Sequence, residues 1–472
     1  MKKLTKRQKK WLVLLGIALF VGVILILAAK LFFEREGRLS LGGYIRAEML
    51  YAIVIFLLLI PVLLVFLLFG ILQKRVEPKA ESDEEPESDD ETVPFSNTVD
   101  GGENRSDKTS TSHGERFCML SEIDRKSTSY GHQSYESGVE LEQFCNDFRS
   151  YAASKLNLYY DIDDIRRFVS GLAVSKLVIL QGMSGTGKTS LAHAFGSFVD
   201  NSSTVIPVQP MWKERTDLVG YYNEFTKRFN ETLLLEKMYE ANYSADMYVT
   251  VLDEMNIARV EYYFAEFLSL LELPNPDERY IDVVSDKWET DPKQFKDGRI
   301  KLPENMWFVG TANNDDSTFA ISDKVYDRAM ILDLNSKCER FAAPHTSKKP
   351  ISAKQFNDLV EKAICEYGVS QRNVQRLAAL DQYLIDHLHI TFGNRIMKQI
   401  RAYIPVYVAC GGDELVALDD ILSKKVIRKL ETQNPIYLRN AAEGLLSFID
   451  ELFGADKMPI CKEHIHRLQR NA

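Results

Sequence analysis

The sequence predicts an α/β fold, a parallel sheet flanked by helices, with two transmembrane helices ahead of it and a mostly helical C-terminal part behind it. Three observations predict this. A short apolar run, LVILQ at 177–181, leads directly into GMSGTGKTS at 182–190. A second apolar run, MYVTVL at 247–252, ends in Asp253 and Glu254. Residues 11–29 and 49–72 contain no charged side chain at all.

The uncharged segments come first in the chain. Each is long enough, at about 1.5 Å per helical residue, to cross a hydrocarbon core of about 30 Å. Lys2, Lys3, Lys6, Arg7, Lys9 and Lys10 precede the first, and Lys74 and Arg75 follow the second. Between them Lys30, Arg35, Arg38 and Arg46 are largely offset by Glu34, Glu36 and Glu48. This bias predicts a multi-pass anchor at 1–76 in the cell membrane, with both termini and the catalytic domain cytoplasmic. A signal peptide has a shorter apolar core. Neither span holds an ionisable residue, which argues against an ion path, and Pro61 reads as a kink.

After the spans, residues 77–138 are poor in aliphatics and open on ESDEEPESDDE at 81–91. Such a stretch buries too little apolar surface to offset its ordering entropy, so a disordered acidic tether is expected. The net charge of −9 lacks the basic footprint of a dedicated nucleic-acid binder. Six scattered cysteines without a CxxC pair read as reduced thiols. The HxH pairs His387/His389 and His464/His466 have no further ligands at metal spacing and read as packing or surface histidines.

Helical patterning begins at LEQFCNDFRSYAASKL, 141–156, and the first strand follows at 177–181. The nonapeptide after it fits GxxxxGK[ST], with Gly182, Gly187, Lys188 and Thr189 in the defining places and Met183, Ser184, Gly185, Thr186 and Ser190 completing the loop. Glycines let backbone N–H groups turn inward around phosphates, Lys188 neutralises β/γ oxygens, and the Thr189 hydroxyl suits Mg²⁺. The helix expected after it turns its positive end toward the anion. At the tip of the second strand Asp253 would join Thr189 as a Mg²⁺ residue, and Glu254 would act as general base on the attacking water. A third strand, MWFVG at 306–310, runs into TANNDD; Asn313 is the choice for orienting that water, with Asn314 as the alternative. In DKVYDRAMILDL, Arg328 stands just before a last strand, and its fixed charge and planar fork suit the γ-phosphate of a neighbouring subunit.

Together these segments resemble AAA+ ATPases, particularly the branch containing the McrB-type GTPases and the MoxR-like chaperones. VQPMWKERTDLVGYYN (208–223), VLDEMNIARVEYYFAEFLSLLE (251–272) and FVGTANNDDSTFAISDKVYDRA (308–329) carry the resemblance beside the P-loop, with a weaker tail in FGNRIMKQIRAYI (392–404). The resemblance implies a core at 139–340 with strand order 5-1-4-3-2 and a helical lid at 352–472. It makes Asn313 a sensor-1 residue, Arg328 an arginine finger and Arg395 a nucleotide-binding sensor-2 arginine. Trp212, Asp217, Gly220 and Tyr221 fall where this branch places substrate or inter-subunit loops; Trp212 and Tyr221 read equally well as core aromatics. The implied function is ATP hydrolysis with Mg²⁺, GTP being the alternative, in a homo-oligomeric ring that remodels an unknown protein partner at the membrane. The competing reading is an McrB-like defence subunit acting as a nucleotide-gated scaffold for a nuclease or other effector.

Overall fold

The computed structural model describes residues 115–132, 134–313, 318–335 and 337–471. The expected spans and the first part of the tether lie outside the described residues. Among those that are described, no helix is long and apolar enough to cross a membrane.

The described chain opens with a packed segment where a tether to 138 was expected. Phe117 and Leu120 are fully buried, and α1 (Met119–Arg125) starts where the Glu231 carboxylate accepts the N–H groups of Cys118, Met119 and Leu120 at 2.8, 3.0 and 2.8 Å. Arg116 pairs with Asp291 at 2.7 Å and lies 4.5 Å from the Trp288 ring. Remote partners therefore order a stretch whose own composition is polar.

Two helices then lead into the sheet. α2 (Leu141–Leu156) matches the expected helix and buries Phe144 and Phe148 against Phe195 and Phe198. α3 (Ile162–Val174) is capped by the Asp161 side chain, which accepts from Asp163 N. After β1 (Leu177–Gly182) come α4 (Lys188–Phe198), β2 (Thr204–Pro207), a four-residue α5 (Thr216–Val219) and the hairpin β3 (Gly220–Asn223) with β4 (Arg228–Glu231). α6 (Leu233–Ala241) and β5 (Tyr248–Asp253) follow, then short α7 (Val260–Tyr263) and α8 (Ala265–Leu270). A second hairpin, β6 (Tyr280–Asp282) with β7 (Arg299–Lys301), precedes β8 (Met306–Asn313), α9 (Asp323–Tyr326) and β9 (Met330–Asp333).

The sheet runs β2-β5-β8-β1-β9 with every pairing parallel. Counting those five strands in chain order, this is 5-1-4-3-2, as expected. Parallel strands covered on both faces read as continuous apolar runs, and side chains within each run alternate between two cores. Val178, Leu180, Val249, Val251 and Val309 face one core with α2, α3 and α4; Leu177, Ile179, Tyr248, Leu252 and Phe308 face the other with α6, α7 and α8.

The C-terminal part is helical as expected: α10 (Ala353–Glu366), α11 (Gln371–Leu388), α12 (Asn394–Ala409), α13 (Glu414–Lys425), α14 (Pro435–Phe453) and α15 (Pro459–Asn471). It shares one hydrophobic core with α2 to α4. The central helix α13 buries Asp419, Asp420, Lys424 and Lys425, and each of them is paired. Asp419 caps α15 through Ile460 N and Cys461 N, both at 2.8 Å, and Asp420 accepts from Tyr403 and Lys424, both at 2.7 Å. The HxH histidines serve packing and helix ends: His464 sits between Ser423 and Glu431 at 3.0 Å each, and His389 closes α11 in a left-handed conformation.

Candidate nucleotide site

Parallel register gathers the site at one edge of the sheet. Gly182 at the end of β1 is level with Asn313 at the end of β8, and Asp253 ends β5 beside them. The loop from 183 to 187 turns tightly enough to need its glycines. Gly182 has φ 142°, and a Cβ there would stand 2.3 Å from the Leu334 carbonyl oxygen; Gly187, at φ 90°, begins α4. Met183, Ser184 and Gly185 are exposed, and Thr186 closes the turn on the Met183 carbonyl at 3.0 Å.

Lys188 is buried and its ammonium donates to the Gly182 and Met183 carbonyls at 3.0 and 2.7 Å. The next side chain, Thr189, donates to Asp253 Oδ1 at 2.7 Å. Thr311 of β8 donates to the same oxygen at 2.8 Å, while its own hydroxyl oxygen accepts from Glu254 N at 2.8 Å. Four residues on three elements are thereby locked together. Glu254 is exposed just past the strand tip, with φ 52°, a left-handed conformation that costs a non-glycine residue about 1 to 2 kcal/mol. Strain of this kind is found where a side chain must be aimed.

Asn313 is held by a neighbour that sequence reading missed. Asn256, 4% exposed, donates to the Asn313 carbonyl at 2.9 Å and accepts from Asn313 N at 3.4 Å. Its side chain also reaches the Phe319 carbonyl at 3.3 Å, so it clamps both ends of the loop after β8. Asn314, the alternative to Asn313, lies outside the described residues. Thr311 was missed as well, because the third strand was expected to stop at 310; a threonine directly before the Ala-Asn tip was the available signal.

The two arginines lie elsewhere. Met330 pairs with Val178 near the start of β1, so Arg328 stands at the sheet edge opposite the P-loop. It donates to Glu272 at 2.5 Å. Arg395 donates to the other oxygen of Glu272, also at 2.5 Å. This corrects the expectation that Arg395 reaches the nucleotide of its own P-loop. α12 runs antiparallel to α3: Tyr407 donates to Asp163 at 3.0 Å and Arg166 to the Cys410 carbonyl at 3.0 Å. Tyr160, just before α3, reaches the Gly187 carbonyl, so the end of α12 near the P-loop is the C-terminal one. Arg395 begins the helix and lies at the far end.

Of the loop candidates, Trp212 packs edge-on against buried Tyr263 at 5.6 Å, whereas Tyr221 is half exposed. Asp217 accepts from Lys213 N and Glu214 N, bracing the turn ahead of the first hairpin. A cavity of about 900 Å³ adjoins the site, walled by Gln181, Asn313 and Asp333 from the sheet and by Lys424, Arg428 and His464 from the C-terminal helices.

The donor set fits Mg²⁺ and a triphosphate. Thr189 and Asp253 offer hard oxygens, a buried ammonium stands beside them, and the N-terminus of α4 points at the same place. A P-loop on a parallel sheet, with an Asp-Glu tip on one neighbouring strand and Asn313 on the strand between, defines the class of P-loop nucleoside triphosphatases.

Within that class, residues 177–329 match the family model of the AAA domain (dynein-related subfamily). That stretch, which holds all five strands of the sheet but the last, is thus similar to an AAA domain. Residues 346–472 match a domain of unknown function (DUF8727). No curated protein matches the chain. Among solved structures it is similar to a candidate ATPase from Cytophaga hutchinsonii, at 13% identity over 70% of this chain and 96% of that one, with a TM-score of 0.42. It is also similar to a full-length MCM homolog from Methanopyrus kandleri, at 11% identity over 62% and 63%, with a TM-score of 0.33.

Proposed function

We propose that this chain is a membrane-anchored AAA+ ATPase of the McrB/MoxR-like branch. In this reading it hydrolyses ATP at the subunit interfaces of a homo-oligomeric ring to remodel or move a partner at the cytoplasmic membrane face. The observation that carries the reading is the meeting of Thr189 and Thr311 on one oxygen of Asp253, with the buried Lys188 next to Thr189 in the chain.

In this reading Lys188 leaves the loop carbonyls for the β/γ-phosphate oxygens. Mg²⁺, held through Thr189 and Asp253, supplies charge neutralisation at the phosphates. Glu254 polarises the attacking water and takes its proton, and Asn313, fixed by Asn256, orients that water. Arg328 faces away from its own P-loop, which supports action on a neighbour's nucleotide and hence a ring; Arg395 brings a second guanidinium to the same face through Glu272. Anchoring rests on the uncharged runs 11–29 and 49–72 with their basic flanks.

Replacing Glu254 by Gln removes the base and keeps the shape. Steady-state hydrolysis by the full-length variant is expected to fall by at least about 100-fold with ATP binding retained. A variant that turned over at the wild-type rate would remove this assignment. Running the assay with GTP beside ATP decides the base preference.

A further inference from the structure

The C-terminal helices do more than cover the sheet. α9 and the turn after it, 323–329, carry Arg328, and the four main-chain carbonyls from Tyr326 to Ala329 each accept from a side chain outside the segment. Lys425, at the end of α13 and 3% exposed, donates its ammonium to the Tyr326 carbonyl at 2.6 Å and to the Ala329 carbonyl. Gln399 of α12 donates to the Asp327 carbonyl at 3.2 Å, and Ser175, beyond α3, to the Arg328 carbonyl at 2.8 Å. Arg428, one helical turn past Lys425, binds Asp323 at 3.0 Å and stacks its guanidinium 3.3 Å from the centre of the Tyr326 ring. A segment of seven residues containing a single turn of helix has little stability of its own. Its conformation is therefore set by what grips it.

We propose that Lys425 is a positioning residue for Arg328, so that residues 346–472 act as the element that sets the finger. This rests on the proposed role of Arg328 in hydrolysis. A buried cation bridging the carbonyls on either side of Arg328 fixes the direction in which that side chain leaves the backbone. A lysine is also a poor choice for mere packing, since burying its charge costs stability unless hydrogen bonds such as those to the two carbonyls compensate it.

The surroundings make the grip sensitive to pH. Burial pushes the Lys425 pKa from 10.5 down to about 7; Asp327 opposes this, and Arg428, Arg395 and Lys429 add to it. The other charged or titratable groups around the pocket beside it are Asp323 and Tyr326 on α9, Lys424 on α13 and His389 after α11. Below about pH 7 an ammonium holds both carbonyls. Above it a neutral amine holds them less firmly, because hydrogen bonds from charged donors are roughly twice as strong as neutral ones.

The test compares ATP hydrolysis from pH 6 to 9 in the full-length wild type and in Lys425→Met, Lys425→Arg, Asp327→Asn and Arg328→Ala. Lys425→Met is expected to lower kcat about tenfold at pH 6.5 with KM within twofold, and to flatten the fall in kcat that the wild type shows through pH 7. Lys425→Arg, which keeps the cation, is expected to recover part of the loss and to remain flat. Asp327→Asn removes the carboxylate that supports the ammonium and is expected to move the midpoint to lower pH; it serves alone if the Lys425 variants do not fold. Should Arg328→Ala be inactive while Lys425→Met and Asp327→Asn keep the wild-type rate and pH profile, the positioning role is wrong. An active Arg328→Ala would instead overturn the underlying reading of the finger.

Discussion

The two edges of the central sheet are built in opposite ways. At the P-loop edge the functional groups stand at three strand tips and are tied to one another across the parallel sheet: Thr189 and Thr311 to Asp253, Glu254 N to Thr311, and Asn313 to Asn256. At the opposite edge Arg328, Arg395, Glu272 and Lys425 come from four segments spread over more than a hundred residues, joined only through a shared carboxylate and two carbonyls. The scaffold of the first edge is the sheet itself. The scaffold of the second is a short turn held by another part of the chain. Chemistry at the first edge and control at the second is the division this suggests.

The largest effect that separates the edges is expected from Arg328→Ala. If that side chain completes a neighbour's site, kcat falls on the order of 10³-fold while nucleotide affinity measured on the isolated subunit stays unchanged. A matching loss of affinity would place the arginine at its own P-loop and erase the distinction.

A smaller effect tests the P-loop edge from inside. Asn256→Ala leaves the Asn313 amide and carbonyl and the Phe319 carbonyl short of partners in a buried place, at a cost of about 1–3 kcal/mol in stability. Chemical denaturation reads that cost. Hydrolysis should drop as well, since Asn313 loses its fixed backbone; unchanged kcat would mean that the clamp serves only folding.

The smallest effect belongs to the opposite edge. His132 sits between Asp246 at 2.8 Å and Asp200 at 3.2 Å. Partial burial pulls its pKa down, but the hydrogen bonds to Asp246 and Asp200 outweigh that and leave it raised. A base whose folded pKa is raised adds stability that is fully present below its unfolded value near 6.5 and is lost as pH rises through the folded value. The melting temperature of the wild type should therefore exceed that of His132→Gln more at pH 6 than at pH 9. An offset that does not change with pH would show that folding leaves the His132 pKa where it stands in the unfolded chain.

The same contrast explains how much was legible beforehand. Lys188, Thr189, Asp253, Glu254 and Asn313 could be read from the sequence because each is spelled by its immediate neighbours and by a strand ahead of it. α2 was legible to its ends for the same reason, its apolar spacing being local. What stayed hidden depends on distant partners. Phe117, Leu120 and Ile123 stand at helical spacing inside a polar stretch, and remote partners, among them Glu231, Asp291, Trp288 and Phe229, make that stretch fold. Arg395 was placed at the P-loop by its position in a motif, which carries no information about the direction of α12 along α3. The buried charges of α13 find their partners in Tyr403, the start of α15 and the turn around Arg328, none of them near in the chain. The two hairpins were missed because their strands are three or four residues long and half exposed.

In the proposed ring a complete site takes the P-loop edge of one subunit and the Arg328 edge of another. Co-assembling the full-length Glu254→Gln and Arg328→Ala chains and measuring ATP hydrolysis tests it most directly. Each variant alone should be inactive, and the mixture should recover hydrolysis at least about tenfold above either, because interfaces pairing an intact Glu254 with an intact Arg328 then form. A mixture no more active than its components, although the chains demonstrably co-assemble, would contradict the claim.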